Sequence, residues 1–162
     1  MRATGWDRSG SNWGRSAITA NFFLSDRVCI VYAHRQESPG HKRYATWLVD
    51  CATGPEPFAL SELVLHGFVR VVTNPRIFDP PSTTGQAFRF LDALLARPTC
   101  SLVRPGLGHW RIFRQLCEGA NVRGKLVADA AHAALAIESG CEWVTADTDF
   151  SRFAPPLRWM HL

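Results

Sequence analysis

An α/β sandwich built on a mainly parallel sheet is the fold this chain predicts. Three observations lead to it. Short apolar runs alternate with helix-like stretches from residue 21 onward. Turn and cap signals punctuate the junctions: SerProGly at 38–40, AsnPro at 74–75, AspProPro at 79–81 and ProGlyLeuGly at 105–108. Acidic residues recur where apolar runs end or helices begin.

The elements follow in order. Residues 1–20 are rich in Gly, Ser, Arg and Trp without periodicity, which predicts a disordered or loosely docked extension before a single domain over 21–162. A strand is expected at 21–25. After Asp26-Arg27, the run 28–33 reads as a helix or short apolar segment. Ser38 is the expected N-cap of a second helix, with Pro39 at its first position. Cys51 to Pro57 reads as a loop. Phe58-Ala59-Leu60 leads into a helix capped by Ser61, which ends by Asn74-Pro75. AspProPro makes a rigid link. Ser82 then opens a helix with Phe88, Leu91, Leu94 and Leu95 at helical spacing. A strand is expected over 99–103 and a helix from His109 to about Cys117. A loop follows at 121–124. Next comes an Ala-rich helix from Asp129 to Ser139, stopped by Gly140. Strands are expected at 142–145 and 157–161.

Composition narrows the class. The 162 residues suffice for one domain with a real core, and 46% hydrophobic with 20% charged residues is ordinary for a globular chain. No apolar run reaches membrane-span length, and the N-terminus lacks the apolar core of a secretory signal, so no membrane association is expected. Five scattered cysteines without CxxC spacing read as reduced thiols, as in a cytoplasmic protein, and do not suit a structural zinc site. The net charge is +4. Arg104, Arg111, Arg114, Arg123 and Lys125 face one acid, Glu118, in their stretch. A basic surface around an acidic pocket suits a phosphodiester substrate, although a plain solvated surface has the same composition.

The candidate site is a set of carboxylates. Asp26 and Asp147 follow apolar strand candidates; Glu62 and Asp129 lie at helix starts. In an open parallel sheet all four converge beyond the carboxyl ends of the strands. Such a group needs a counter-charge, and a divalent cation is the usual one. Each acid also has an ordinary structural explanation. Asp26 and Asp129 suit N-caps, Glu62 suits the positive end of a helix, and Asp147 suits a turn. His132, one helical turn after Asp129, suits packing better than ligation. Gly106-Leu107-Gly108 does not complete a dinucleotide fingerprint, and P-loop and nucleophile-elbow patterns are missing.

Four stretches carry a family resemblance. FLSDRVCIVYAHR at 23–35 resembles the first strand and helix of PIN-domain proteins. LSELVLHGFVRVVTNPRIF at 60–78 resembles their second motif, ADAAHAALAIESG at 128–140 the third, and TADTDF at 145–150 the fourth. The similarity runs from about Phe22 to the C-terminus and is greatest to VapC-type toxins of bacterial toxin–antitoxin pairs. It implies a PIN-like three-layer α/β/α sandwich and a magnesium-dependent endoribonuclease, with manganese as the alternative ion. By position, it implies Asp26 and Asp129 as metal ligands. Glu62 and Asp147 complete the catalytic pocket, with Asp149 as a peripheral fifth acid. It also implies RNA as substrate, a cognate antitoxin that blocks the pocket with a basic side chain, and a homodimer.

Two residues depart from the family pattern. Val28 stands where a polar residue, commonly Asn, is usual. Arg27 stands where a small or apolar residue is usual, and it is placed to pair with Asp26 and compete with metal. The alternative expectation is therefore a catalytically weakened PIN scaffold that binds RNA or antitoxin without turnover. A structure-specific DNA nuclease fits less well, because the chain lacks room for clamp elements.

Overall fold

The computed structural model describes residues 23–162; the expected N-terminal extension lies outside them. Five strands form one parallel sheet in the order β3-β2-β1-β4-β5. They are β1 (Phe23–Ser25), β2 (Phe58–Ser61), β3 (Cys100–Val103), β4 (Glu142–Thr145) and β5 (Trp159–His161). The helices are α1 (Arg27–His34), α2 (His41–Thr53), α3 (Glu62–Val72), α4 (Thr84–Leu95), α5 (His109–Gly119) and α6 (Leu126–Ser139). A short 3-10 helix spans Thr148–Phe153.

The topology explains the layers. From β1 the chain steps through β2 to β3 on one side, then crosses to β4 and β5 on the other. Right-handed connections running in opposite directions place their helices on opposite faces. So α1 to α4 pack with one another, and α5 packs with α6. The direction of travel reverses between β1 and β4. Open α/β sheets bind ligands beyond such a reversal.

Burial follows position in the sheet. β2 lies between β1 and β3, and its residues Phe58, Ala59, Leu60 and Ser61 are all buried. A strand covered on both faces needs an unbroken apolar run rather than alternation. Helix α3 contributes Val64, Phe68 and Val72, a four-residue repeat facing inward. Helix α6 presents Ala130, Ala133, Ala134 and Leu135, fully buried. Its small side chains bring the backbone close to the sheet.

Helix starts account for most departures from expectation. α2 begins at His41 behind Gly40, which takes a left-handed φ of 70°. Ser38 instead lies in a preceding turn: its N–H donates to the Arg35 carbonyl (3.0 Å) and its carbonyl accepts from His41 (3.1 Å). The chain therefore turns once more before the helix, and Pro39 stays outside it. α2 also continues through Cys51 to Thr53, and Gly54 ends it by donating to the Asp50 carbonyl at 2.8 Å. α4 is capped by Thr83, not Ser82. The Thr83 hydroxyl accepts from Gln86 N–H (3.1 Å) while the Gln86 side chain accepts from Thr83 N–H (2.7 Å). Ser82 is occupied by tertiary partners. Its hydroxyl bonds His34 Nε2 (3.1 Å) and Arg35 Nη1 (2.8 Å), and its N–H donates to the Val72 carbonyl (2.8 Å). α6 starts at Leu126, three residues before Asp129, so Asp129 lies inside the first turn rather than at the cap. The Ser61 cap and the Gly140 stop, at a φ of 68°, are as expected.

Thr83→Ala removes a reciprocal cap far from the acidic edge. It should cost about 1 kcal/mol and lower the melting temperature by roughly 2–4 °C, which thermal unfolding followed by circular dichroism will check.

Candidate active site

The register of β1 and β4 sets the site. Leu24 pairs with Trp143 and Ser25 with Val144. The ladder continues one step, since Asp26 N–H donates to the Val144 carbonyl at 2.8 Å. This brings Asp26 opposite Thr145, at the end of β4. The Thr145 hydroxyl donates to Asp26 Oδ2, and its oxygen accepts from Asp147 N–H at 3.0 Å. One buried hydroxyl thus joins the acid after β1 to the acid after β4. The other Asp26 oxygen accepts from Val28 N–H at 3.4 Å, so Asp26 also caps α1.

Asp26 is only 5% exposed. Burial raises its pKa above the ordinary carboxylate range, against the hydrogen bonds from Thr145 and Val28 and the nearby charge of Arg27. Asp129 is also raised, first by burial, then by the charges of Asp147, Asp26 and Asp149, with Lys125 opposing. Four of the five expected acids therefore share one electrostatic neighbourhood.

Of the outer acids, Asp149 and Glu62 are matched to cations and Asp147 to backbone. Asp147 accepts from Asp149 N–H at 2.8 Å and caps the 3-10 helix. Asp149 lies against Lys125 (3.3 Å) and Arg152 (3.5 Å). Glu62 opens α3, as expected, but its carboxylate turns to Arg104, with Nε donating to Oε1 at 2.7 Å. Both partners are exposed, Glu62 by 41%, so the pair contributes little to stability. Glu62 is not among the charges that raise Asp129.

Arg27 does not pair with Asp26; no ion pair to Asp26 exists among the described residues. His132 is packed: 9% exposed and stacked on Trp143, with ring centroids 5.3 Å apart. Burial lowers its pKa to about 4, with Arg27 and His109 adding to the shift, so it is neutral near pH 7. The sequence does not single out Thr145, and it shows Arg104 and Lys125 as part of a basic surface, not as partners of Glu62 and Asp149. For Thr145, the available signal was its place two residues before Asp147 at a strand end.

The donor chemistry suits a hard cation. Asp26, Asp129, Asp147 and Asp149 offer only oxygen, and their mutual repulsion is what a bound cation relieves. Among the described residues, no three His, Cys, Asp or Glu side chains already stand close enough to hold a metal. An ion that keeps several waters and takes one or two carboxylates needs no such cage.

A parallel sheet that gathers acids at its switch point, Asp26 buried among them, defines the class, and comparison identifies the family. The PIN domain model matches residues 24–155. The VapC ribonuclease Mb2897 of Mycobacterium bovis is 44% identical over 132 residues, covering 82% of this chain and 89% of its own. Ribonuclease VapC31 of Mycobacterium tuberculosis is 38% identical over 141 residues, covering 83% and 99%. Among solved structures, VapBC2 from Rickettsia felis, bound to a promoter DNA fragment, matches with a TM-score of 0.64 at 20% identity. It covers 86% of this chain and 98% of that one. FitAcB from Neisseria gonorrhoeae matches with a TM-score of 0.58 at 19% identity, covering 86% and 96%. This chain belongs to the PIN-domain family, among its VapC ribonucleases.

The raised pKa of Asp129 sets a pH dependence. Above the unfolded value, taken as 3.8, the folded protein holds the proton more tightly than the unfolded chain. Stability is therefore fullest below that value and is lost as pH rises through the folded pKa. In metal-free buffer, Asp129→Asn should flatten this fall and melt higher than wild type at neutral pH. Thermal melts across acid to neutral pH will check it. Thr145→Val severs both bonds of the bridge and should cost about 1–3 kcal/mol in denaturant unfolding, because Asp26 and the Asp147 N–H each lose a partner.

Proposed function

We propose that this chain is a divalent-metal-dependent endoribonuclease, the toxin component of a toxin–antitoxin pair. The observation that carries the reading is the buried bridge from Asp26 through Thr145 to Asp147, with Asp129 raised by the same acids. The names of relatives it matches, VapC ribonuclease Mb2897 and ribonuclease VapC31 among them, support it.

Asp26 and Asp129 would hold Mg2+, and an all-oxygen set serves Mn2+ as well. Bound there, such an ion supplies charge stabilisation at the scissile phosphate and a more acidic water. The remaining work falls to the chain. Thr145 and Val28 fix the Asp26 carboxylate, one on each oxygen, and each oxygen keeps a further acceptor direction. Asp147, held by backbone bonds at both ends, is placed to orient the attacking water or take its proton. Asp149 and Glu62 lie further out. Glu62 joins the pocket only by leaving Arg104. Because Asp26 and Asp129 bind protons more tightly than free carboxylates, protons compete with the ion, and metal affinity should fall as pH falls.

A cognate antitoxin is the natural protein partner. The solved relatives include VapBC complexes, and a basic side chain from a partner would satisfy the same acids as the cation. Leu107 is fully exposed and Trp110 is 70% exposed, an apolar surface suited to a protein partner, a second copy included. We place the chain in the cytoplasm: five free cysteines fit a reducing compartment, and no helix among the described residues is long and apolar enough to cross a membrane. We take residues 21–162 as the PIN unit.

One observation favours a second reading, a weakened scaffold. Val28 offers Asp26 a backbone N–H and no side-chain donor, and Glu62 is engaged elsewhere. One experiment separates the two. Purified protein is incubated with structured RNA and Mg2+ beside Asp129→Ala. Cleavage by wild type alone, with Mg2+ raising its melting temperature by several degrees, is expected. Two inert proteins with no Mg2+ shift would leave the scaffold. Val28→Asn should raise the cleavage rate, measured by gel-resolved time courses, if the natural residue limits the enzyme.

A further inference from the structure

The cations around the acidic pocket differ in one respect. Lys125 and Arg152 lie against Asp149, and Arg104 lies against Glu62. Arg27 has no acid within ion-pair distance among the described residues, although it directly follows Asp26 in the chain.

Its stem is nevertheless fixed. Arg27 begins α1, and its side chain crosses to α3 at Gly67. A Cβ on Gly67 would lie 2.7 Å from Arg27 Cδ and 3.4 Å from Nη1. Gly67 is buried within α3, where glycine otherwise weakens a helix. Its bare backbone gives the arginine a groove. The side chain is packed there, and its place at the start of α1, directly after the N-cap Asp26, keeps its charge at the edge of the sheet that carries the acids. A half-buried arginine with a packed stem and no acid partner among the described residues is a preorganised anion contact.

We infer that Arg27 binds a phosphodiester of the RNA strand next to the scissile one, with Gly67 as the residue that positions it. This rests on the ribonuclease reading. The acids at this edge would repel a polyanion, and a bound divalent ion offsets only part of that charge. A fixed guanidinium beside Asp26 supplies the rest at the backbone rather than at a base, so its contribution is sequence-independent.

The test uses the full chain carrying Asp129→Asn, which silences cleavage, and a fluorescent single-stranded RNA of about twenty nucleotides. Anisotropy titrations run from about 50 to about 200 mM salt. Arg27→Met keeps most of the packed stem and removes the charge. It should weaken binding about three- to tenfold and make the salt slope shallower by about 0.7, the value for one phosphate contact on a single strand. Arg27→Lys should retain the slope. Gly67→Ala should weaken binding when Arg27 is present and have little effect in an Arg27→Ala background, a coupling that a merely structural glycine does not produce. If Arg27→Met lowers the melting temperature sharply, Arg27→Gln is read instead. With Asp129 restored, Arg27→Met should raise KM and leave kcat nearly unchanged. Equal affinity and equal slope for Arg27→Met and its parent overturn the assignment while leaving the nuclease reading intact. A rise in Mg2+-dependent cleavage in Arg27→Met also overturns it, showing an arginine that competes with metal. If the Asp129→Asn chain binds no RNA and wild type cleaves none, the ribonuclease reading itself falls.

Discussion

The Thr145 hydroxyl is the link on which the acidic site depends. It donates to Asp26 and accepts from Asp147, and it is itself fully buried. A carboxylate as buried as Asp26 is costly unless its oxygens are matched. The pairing of β1 with β4 supplies that match by register, not by loop geometry. Because the two strands flank the reversal of the sheet, the match occurs where a ligand can also reach. Asp129 then enters from the first turn of α6, whose alanines let the helix approach closely. Strand register, helix packing and acid placement are thus one arrangement.

The basic net charge has a local meaning. Lys125, Arg152 and Arg104 each sit against an acid of the outer ring, so that ring is largely neutralised. The inner pair, Asp26 and Asp129, has no such partner among the described residues and keeps raised pKa values. Outer ion pairs of this exposure add little stability. Their effect is to confine the unbalanced negative charge to the place where a cation would sit. Glu62 illustrates the division: its helix position is that of a site residue, while its charge belongs to the ring.

Much of this was legible in the sequence, for physical reasons that differ by residue. The strand-to-helix turn at Ser61 and Glu62 could be read because cap, charge and apolar repeat lie within a dozen residues. Gly140 could be read because a left-handed residue after an Ala-rich helix favours glycine. Thr145 could not. It is neutral, and its importance arises from a strand 119 positions away. Arg104 meets Glu62 across 42 positions. Ser82 and Thr83 are equally good caps by local chemistry, and His34 and Arg35 decide between them by claiming Ser82. The start of α6 has no side-chain cap at all, so nothing local marks it. In the sequence Arg27 reads as a competitor of metal; its stem lies instead on Gly67, a contact that a pattern of residue types does not display.

The layer beneath the acids has a cost of its own. His132 stacks on Trp143, and Trp143 packs on Phe150 at 5.2 Å. His132 Nδ1 and Trp143 Nε1 are buried without hydrogen-bond partners among the described residues. Each such group costs stability relative to a satisfied one. An apolar pair of similar volume would remove that cost, yet the aromatic stack serves the geometry above it. Trp143 is the β4 residue paired with Leu24, two steps before Thr145. Rigid rings packed against Trp143 resist the sliding that would separate Thr145 from Asp26. A neutral His132 also adds no positive charge beneath the acids, so it leaves their demand for a cation undiminished. The unsatisfied nitrogens are therefore consistent with a floor shaped for stiffness and neutrality, with stability given up beside the site as functional sites commonly do.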